Sequence, residues 1–322
     1  MFKELIEVSD IIMDKCLGVE SGENLLIVTD RLQEREINEA LMTSASNKGA
    51  EASIIIMEPR KLGVVEAPAF VEEAMKSSNV VVLTPIRTVS YSRAVRNARK
   101  SGARVLGLTG INREIMLRSV AVDYRKLCTK VMKLADTFKK TKVVRITSPS
   151  GDNLKLELSA KREPLVVDGI SQNKGEIDFL PPGYVSMAPI EGKAEGVYVA
   201  NGSCNYFGVL HEPIKLTIKG GFVTKIEGGE QAKKYRRLLE GLEDPNAYNV
   251  GEIGIGLNHR AKLSGVTVED ERIRGGATLG VGQNILHGGR TEAKVHVDLI
   301  TMGTTVRFDQ EIIVEKGRFL FR

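Results

Sequence analysis

Near the C-terminal end of the chain, His296 and Asp298 stand two residues apart within the apolar alternation of Val295, Val297 and Leu299. In an extended strand, side chains at i and i+2 leave from the same face. An imidazole and a carboxylate would therefore project together while valine and leucine turn towards a core. Imidazole nitrogen and carboxylate oxygen both suit zinc, manganese or iron. Glu252, in the strand-like run Gly251-Glu252-Ile253-Gly254-Ile255-Gly256, is a candidate third ligand and a candidate base. Glu271, within the acidic cluster Glu269-Asp270-Glu271, is the second carboxylate that could accept a proton from a metal-activated water. Taken alone, a His-x-Asp pair reads more simply as a hydrogen-bonded surface pair, and Glu252 as a solvated carboxylate at a strand start. Of the other histidines, His259 and His287 flank this stretch and are alternative ligands, although an exposed loop position is the expectation for both, and His211 lies further off.

The elements that must position these groups fall into two halves. Up to about residue 140, apolar runs alternate with helical patterns. A helix over residues 3–17 is followed by the wholly apolar run Leu25-Leu26-Ile27-Val28, as in a buried parallel strand. Helical segments over 33–48, 68–76 and 91–101 alternate with strands over 52–57, 80–83 and 104–108. This alternation predicts a doubly wound parallel sheet. No GxGxxG follows the first strand, so no nucleotide cofactor is expected. Open α/β sheets place ligands beyond the carboxyl ends of their strands, and the loop after the third strand offers Arg87, Thr88, Ser90 and Tyr91, of which Arg87 and Tyr91 are candidate substrate-binding residues.

A lysine-rich helix over 121–139 leads to a different pattern. Val143–Thr147 and Leu154–Leu158 alternate on either side of a Ser-Pro-Ser-Gly-Asp-Asn turn, a β-hairpin signature. Further strands are expected over 196–200, 214–218 and 222–226, and a helix over 229–242. The fold class expected is thus α/β: a parallel-sheet domain over 1–140, and a mainly-β α+β domain over 141–322 that carries the metal site. Six glycines between Gly275 and Gly289 read as tight turns and close backbone approach beside the His-x-Asp strand.

Composition narrows the function classes. A net charge of +5 over 322 residues, with 5% aromatics and no tryptophan, lacks the basic-aromatic interleaving of single-strand binders, and nucleic acid is not an expected partner. No apolar run reaches the ~20 residues needed to span a bilayer, so no membrane partner is expected and a cytoplasmic location follows. Three separated cysteines, Cys16, Cys128 and Cys204, have no CxxC spacing and read as small core residues.

Several strings in order carry a resemblance. These are Leu180-Pro181-Pro182-Gly183-Tyr184 through Pro189, Ala194-Glu195-Gly196, Gly251 to Asn258, Glu269-Asp270-Glu271, Gly282-Gln283-Asn284 and His296-Val297-Asp298, preceded by Thr88 to Arg93 and Gly110 to Glu114. Their order and spacing resemble the aminopeptidase T family of metallopeptidases, and equally its relative 2,5-dihydroxypyridine 5,6-dioxygenase, a mononuclear non-haem iron enzyme. The resemblance implies a homodimer and a divalent metal ion, and matches Glu252, His296 and Asp298 to metal ligands. Tyr184 stands where the peptidases carry a glutamate, Thr278 where they carry a histidine, and Ile285 where they carry a tyrosine; Tyr184 and Thr278 become candidate substrate-binding residues. Two divalent cations close together need several carboxylate oxygens, so a reduced, mononuclear site is expected. The leading expectation is a metal-dependent hydrolase of a peptide or small amide. The alternatives are a mononuclear iron dioxygenase that opens an aromatic or heteroaromatic ring, here with one histidine and two carboxylates, and a non-catalytic descendant.

Overall fold

A computed structural model of the chain describes residues 2–60 and 66–320. It divides into two compact units, residues 1–124 with 167–182, and residues 125–166 with 183–322. The sequence places the change of character near residue 140. The contact division falls sixteen residues earlier, and the first unit takes back a segment from the β-rich half.

The first unit is built on a five-stranded, wholly parallel sheet. Its order is Glu51–Met57, Asn24–Asp30, Val80–Leu83, Arg104–Gly107 and Ile177–Phe179. The first four strands are those expected from the apolar runs. The fifth, Ile-Asp-Phe, is too short to show a period, and it arrives from the returning segment. Valines and leucines fill both faces of the central strands because helices cover them. On one face Leu26, Val28, Val81, Leu83 and Val105 pack with Val71 and Met75 of helix Ala69–Lys76 and with Ala94, Val95 and Ala98 of helix Arg93–Lys100. The latter helix forms despite its arginines. Ser92 caps it by accepting from the Val95 N–H at 3.2 Å, and Arg99 and Lys100 sit in its last turn, where cations suit the helix dipole.

The second unit carries two antiparallel sheets. Eight strands run in the order Phe222–Glu227, Ile214–Lys219, Ala194–Ala200, Asn153–Glu157, Val143–Thr147, Thr305–Phe308, Glu311–Glu315 and Arg318–Phe319. The expected hairpin pairs Val143 with Glu157 through Thr147 with Asn153. The other sheet has seven strands, with the sequence His296–Thr301, Ala277–Gly282, Val250–Gly256 and Tyr184–Met187 at its centre. Its apolar face presents Val185, Met187, Ile253, Ile255, Leu279, Val281, Val297 and Leu299, all completely buried. Tyr198 of the first of these sheets places its hydroxyl 2.8 Å from the Leu299 carbonyl and 3.1 Å from that of Ala277, tying the two layers together. Among the described residues, no helix is long and apolar enough to cross a membrane.

Candidate metal centre

The opposite face of the seven-stranded sheet carries the candidate site residues. Antiparallel register aligns Glu252 with Gly280 and Gly280 with Asp298, and Gly282 with His296. Gly254 is aligned with both Thr278 and Ser186, and Gly256 with Tyr184. With a period of two, Tyr184, Ser186, Glu252, Thr278, His296 and Asp298 leave the same face, with glycines between them. A β-carbon at Gly280 would stand 2.7 Å from His296 Cε1 and 2.8 Å from Glu252 Cβ. Glycine is therefore what lets the imidazole lie across this strand to reach the glutamate.

The expected ligands Glu252, His296 and Asp298 do come together. His296 Nε2 lies 3.0 Å from Glu252 Oε2 and 2.9 Å from Asp298 Oδ1. The structure adds a fourth group. His287, in the short turn Ile285–His287, is buried rather than an exposed loop residue, and its Nε2 is 2.8 Å from the same Glu252 Oε2. The two rings stack, 5.0 Å between centroids and 12° between planes. Among the described residues, Glu252, His287 and His296 offer ligand atoms within 4.8 Å of one another. Two histidines and one carboxylate converge here, where one histidine and two carboxylates were expected, and Asp298 stands beside the group against the His296 ring. The signal for His287 was only its position flanking the site, because a three-residue turn carries no periodicity.

The far side of each ring fixes its orientation. His296 Nδ1 donates to the Gln283 carbonyl at 2.6 Å, and His287 Nδ1 is 2.8 Å from Ser186 Oγ. A carbonyl only accepts, so His296 keeps its hydrogen on Nδ1, and the neutral ring then turns a lone pair towards two carboxylates. That arrangement calls for a positive charge at Nε2, either a proton or a metal ion. Ligating histidines commonly carry such a backbone or hydroxyl partner. Burial would lower the affinity of His296 for a proton, but Asp298 and Glu252 outweigh it and hold its pKa well above the ordinary value. Burial would likewise raise the Glu252 pKa, and the His287 and His296 rings outweigh it and hold it well below the usual carboxylate range. Glu252 is 1% exposed, whereas the His296 side chain is 25% exposed, so the cluster opens to solvent on the His296 side. The donor set, the anchored rings and the glycine cradle fit a divalent cation.

The remaining expected residues fall in different places. Tyr184 is buried, and its hydroxyl donates to Glu252 Oε1. Thr278, on the same face of the sheet, is buried too. Glu271 pairs instead with the Arg272 guanidinium, whose carbon lies 4.8 Å from the centre of the Tyr184 ring. Arg87 and Tyr91 belong to the first unit. There Arg87 Nη1 donates to the Arg60 carbonyl at 3.0 Å, and the half-exposed Tyr91 ring lies 6.3 Å from that of Phe179. His211 and His259 are exposed.

Residues 4–321 match the family model described as NicX: 2,5-dihydroxypyridine 5,6-dioxygenase. The 2,5-dihydroxypyridine 5,6-dioxygenase of Pseudomonas putida (strain KT2440) is 24% identical over 259 residues, spanning 76% of this chain and 72% of that protein. The solved structure of 2,5-dihydroxypyridine dioxygenase from P. putida KT2440 superposes with a TM-score of 0.86 at 20% identity, over 100% of this chain and 98% of that one. Wild-type AmpT from Thermus thermophilus superposes with a TM-score of 0.72 at 16% identity, over 99% of each chain. At those identities the two structures establish the shared fold. Both relationships read from the motifs are therefore found.

Proposed function

From its membership of the NicX, 2,5-dihydroxypyridine 5,6-dioxygenase family, to which the chain belongs, we propose that this protein is a mononuclear, iron-dependent dioxygenase that opens a small hydroxylated heteroaromatic ring. The observation that carries this reading is the approach of two imidazole Nε2 atoms to one carboxylate oxygen, at 2.8 and 3.0 Å. Two histidines and a carboxylate with open positions are the donor set that iron(II) oxygenases favour. Ferrous iron, when bound, supplies a place where dioxygen and a ring hydroxyl can be activated side by side.

The chain's own residues do the rest. Glu252, His287 and His296 would hold the ion, and Asp298 brings a further carboxylate to the His296 nitrogen. Ser186 and Gln283 keep the rings from rotating away. Both oxygens of Glu252 already have partners, which leaves Asp298 better suited to accept a proton from a hydroxylated ring as it binds. Arg87 and Tyr91 remain candidates for substrate contact.

The hydrolase reading leaned on the carboxylate at residue 252 and on a single histidine. His287 removes that shortage of imidazole, and the family match supports ring opening better than amide cleavage. The experiment is to load the full chain anaerobically with ferrous iron, then supply oxygen and 2,5-dihydroxypyridine or a catechol. Oxygen uptake with loss of ring absorbance is expected. Release of free amine from peptides with zinc or manganese, without oxygen uptake, would support the hydrolase instead. A chain that retained no metal and gained no stability from any would be a non-catalytic descendant.

A further inference from the structure

We propose that Tyr184 confines Glu252 to ligation through one oxygen and so holds the site to a single cation with coordination positions free for ligands from solution. The inference rests on the metal reading above, and deepens it by naming the residue that sets how many ions bind.

The two oxygens of Glu252 have separate duties. Oε2 faces both imidazoles, at 2.8 Å from His287 and 3.0 Å from His296. Oε1 accepts the hydroxyl of Tyr184. A cation placed between the ring nitrogens meets Oε2, while the phenol proton covers the oxygen that would otherwise chelate the same ion or bridge to another. Two divalent cations a few ångströms apart repel strongly and need bridging carboxylate oxygens to coexist. Glu252 is the most central carboxylate here, and its second oxygen is closed by a neutral donor.

The phenol is fixed in that position from every side. Tyr184 is 2% exposed. The Arg272 guanidinium carbon lies 4.8 Å from its ring centre. Beneath it, Gly254 leaves the space the hydroxyl fills: a β-carbon there would stand 1.9 Å from the Tyr184 oxygen and 2.2 Å from Cζ. The paired strand is thus shaped around this ring, so the hydroxyl stays on Glu252 and is not free to swing towards a substrate. Tyr184 is on this account a positioning residue, acting through Glu252.

The test uses the full chain with cobalt(II) as the probe, because its visible absorption reports coordination number. Wild type is expected to bind one cobalt per chain and to take up azide at an open position. Tyr184→Phe keeps the ring over Gly254 and removes only the hydroxyl. It is expected to weaken the cobalt bands, as a two-oxygen carboxylate raises the coordination number, and to lower azide affinity by about tenfold, with far-ultraviolet circular dichroism unchanged. If Tyr184→Phe retained the wild-type cobalt spectrum and azide affinity, the inference would fail while the metal reading stood. If wild type bound no cobalt, both would fail.

Discussion

His287 differs from the other ligand candidates in how it is held. Glu252, His296 and Asp298 leave strands whose register is set by continuous pairing, whereas His287 ends a three-residue turn closed by Gly288 in the left-handed region, at φ 81°. Its ring is kept in place by Ser186, and its carbonyl accepts the Ala188 N–H at 2.8 Å. Its share of the site can therefore be removed without disturbing the sheet. His287→Ala is expected to weaken ferrous binding by roughly 10–100-fold and to leave the unfolding temperature of the metal-free protein close to wild type. Calorimetric titration of both proteins with ferrous iron checks this. His296→Ala should go further and abolish stoichiometric binding, since that ring alone approaches both carboxylates. The strand ligands were legible in the sequence because a His-x-Asp alternation states which side chains share a face. His287 was not, because what buries it is contact between residues a hundred positions apart, Ser186 and Ala188 against the turn.

At the scale of elements, the turn that carries His287 depends on a partly buried ion pair. Glu191 pairs with Arg162, and its Oε1 accepts from the Arg290 N–H at 3.0 Å and from Asn284 Nδ2 at 3.1 Å. Asn284 in turn accepts the Thr291 N–H at 2.7 Å, so both ends of the loop are tied to one carboxylate. Burial would raise the Glu191 pKa, but its own N–H, Arg162, Arg290 and Asn284 outweigh that and hold it at about 2, against 4.5 for a free glutamate. A depressed folded-state pKa means a stability contribution that is complete above the unfolded value and disappears as pH falls through the folded one. The stability gap between wild type and Glu191→Gln should therefore be full above pH 4.5 and close as the pH approaches about 2. Urea unfolding of both proteins across that range measures it, and a gap that stayed constant in acid would contradict the strut. None of this network was read from the sequence, where Glu191 and Arg162 are ordinary surface charges. The hairpin, the four leading parallel strands and the helix Glu230–Gly241 were legible, because each has a period or turn long enough to show.

For the molecule as a whole, the expected class holds: a parallel-sheet unit and an antiparallel β unit in one chain. The division by residue number was less legible. Segment 167–182 returns to the first unit and supplies its fifth strand, a pairing across some seventy residues with no local signature. The candidate metal site lies wholly in the second unit, with three of its four side chains on strands that also form the unit's core. A bound ion should for that reason stabilise the fold of that unit and not merely a loop. Free ferrous iron at a hundred times its dissociation constant is expected to add about 2.7 kcal/mol to that unit's stability. Thermal unfolding followed anaerobically, with and without iron, should show an upward shift in wild type, and no shift should occur in His296→Ala.

The central claim is that two imidazoles and Glu252 converge on one metal ion. It is tested most directly by an anomalous difference map, recorded at the iron edge, from crystals grown anaerobically with ferrous iron. The account predicts one peak per chain, about 2.0–2.2 Å from His287 Nε2, His296 Nε2 and Glu252 Oε2. A peak bound by other residues, a pair of peaks, or no peak beside an intact His287–Glu252–His296 cluster would contradict it.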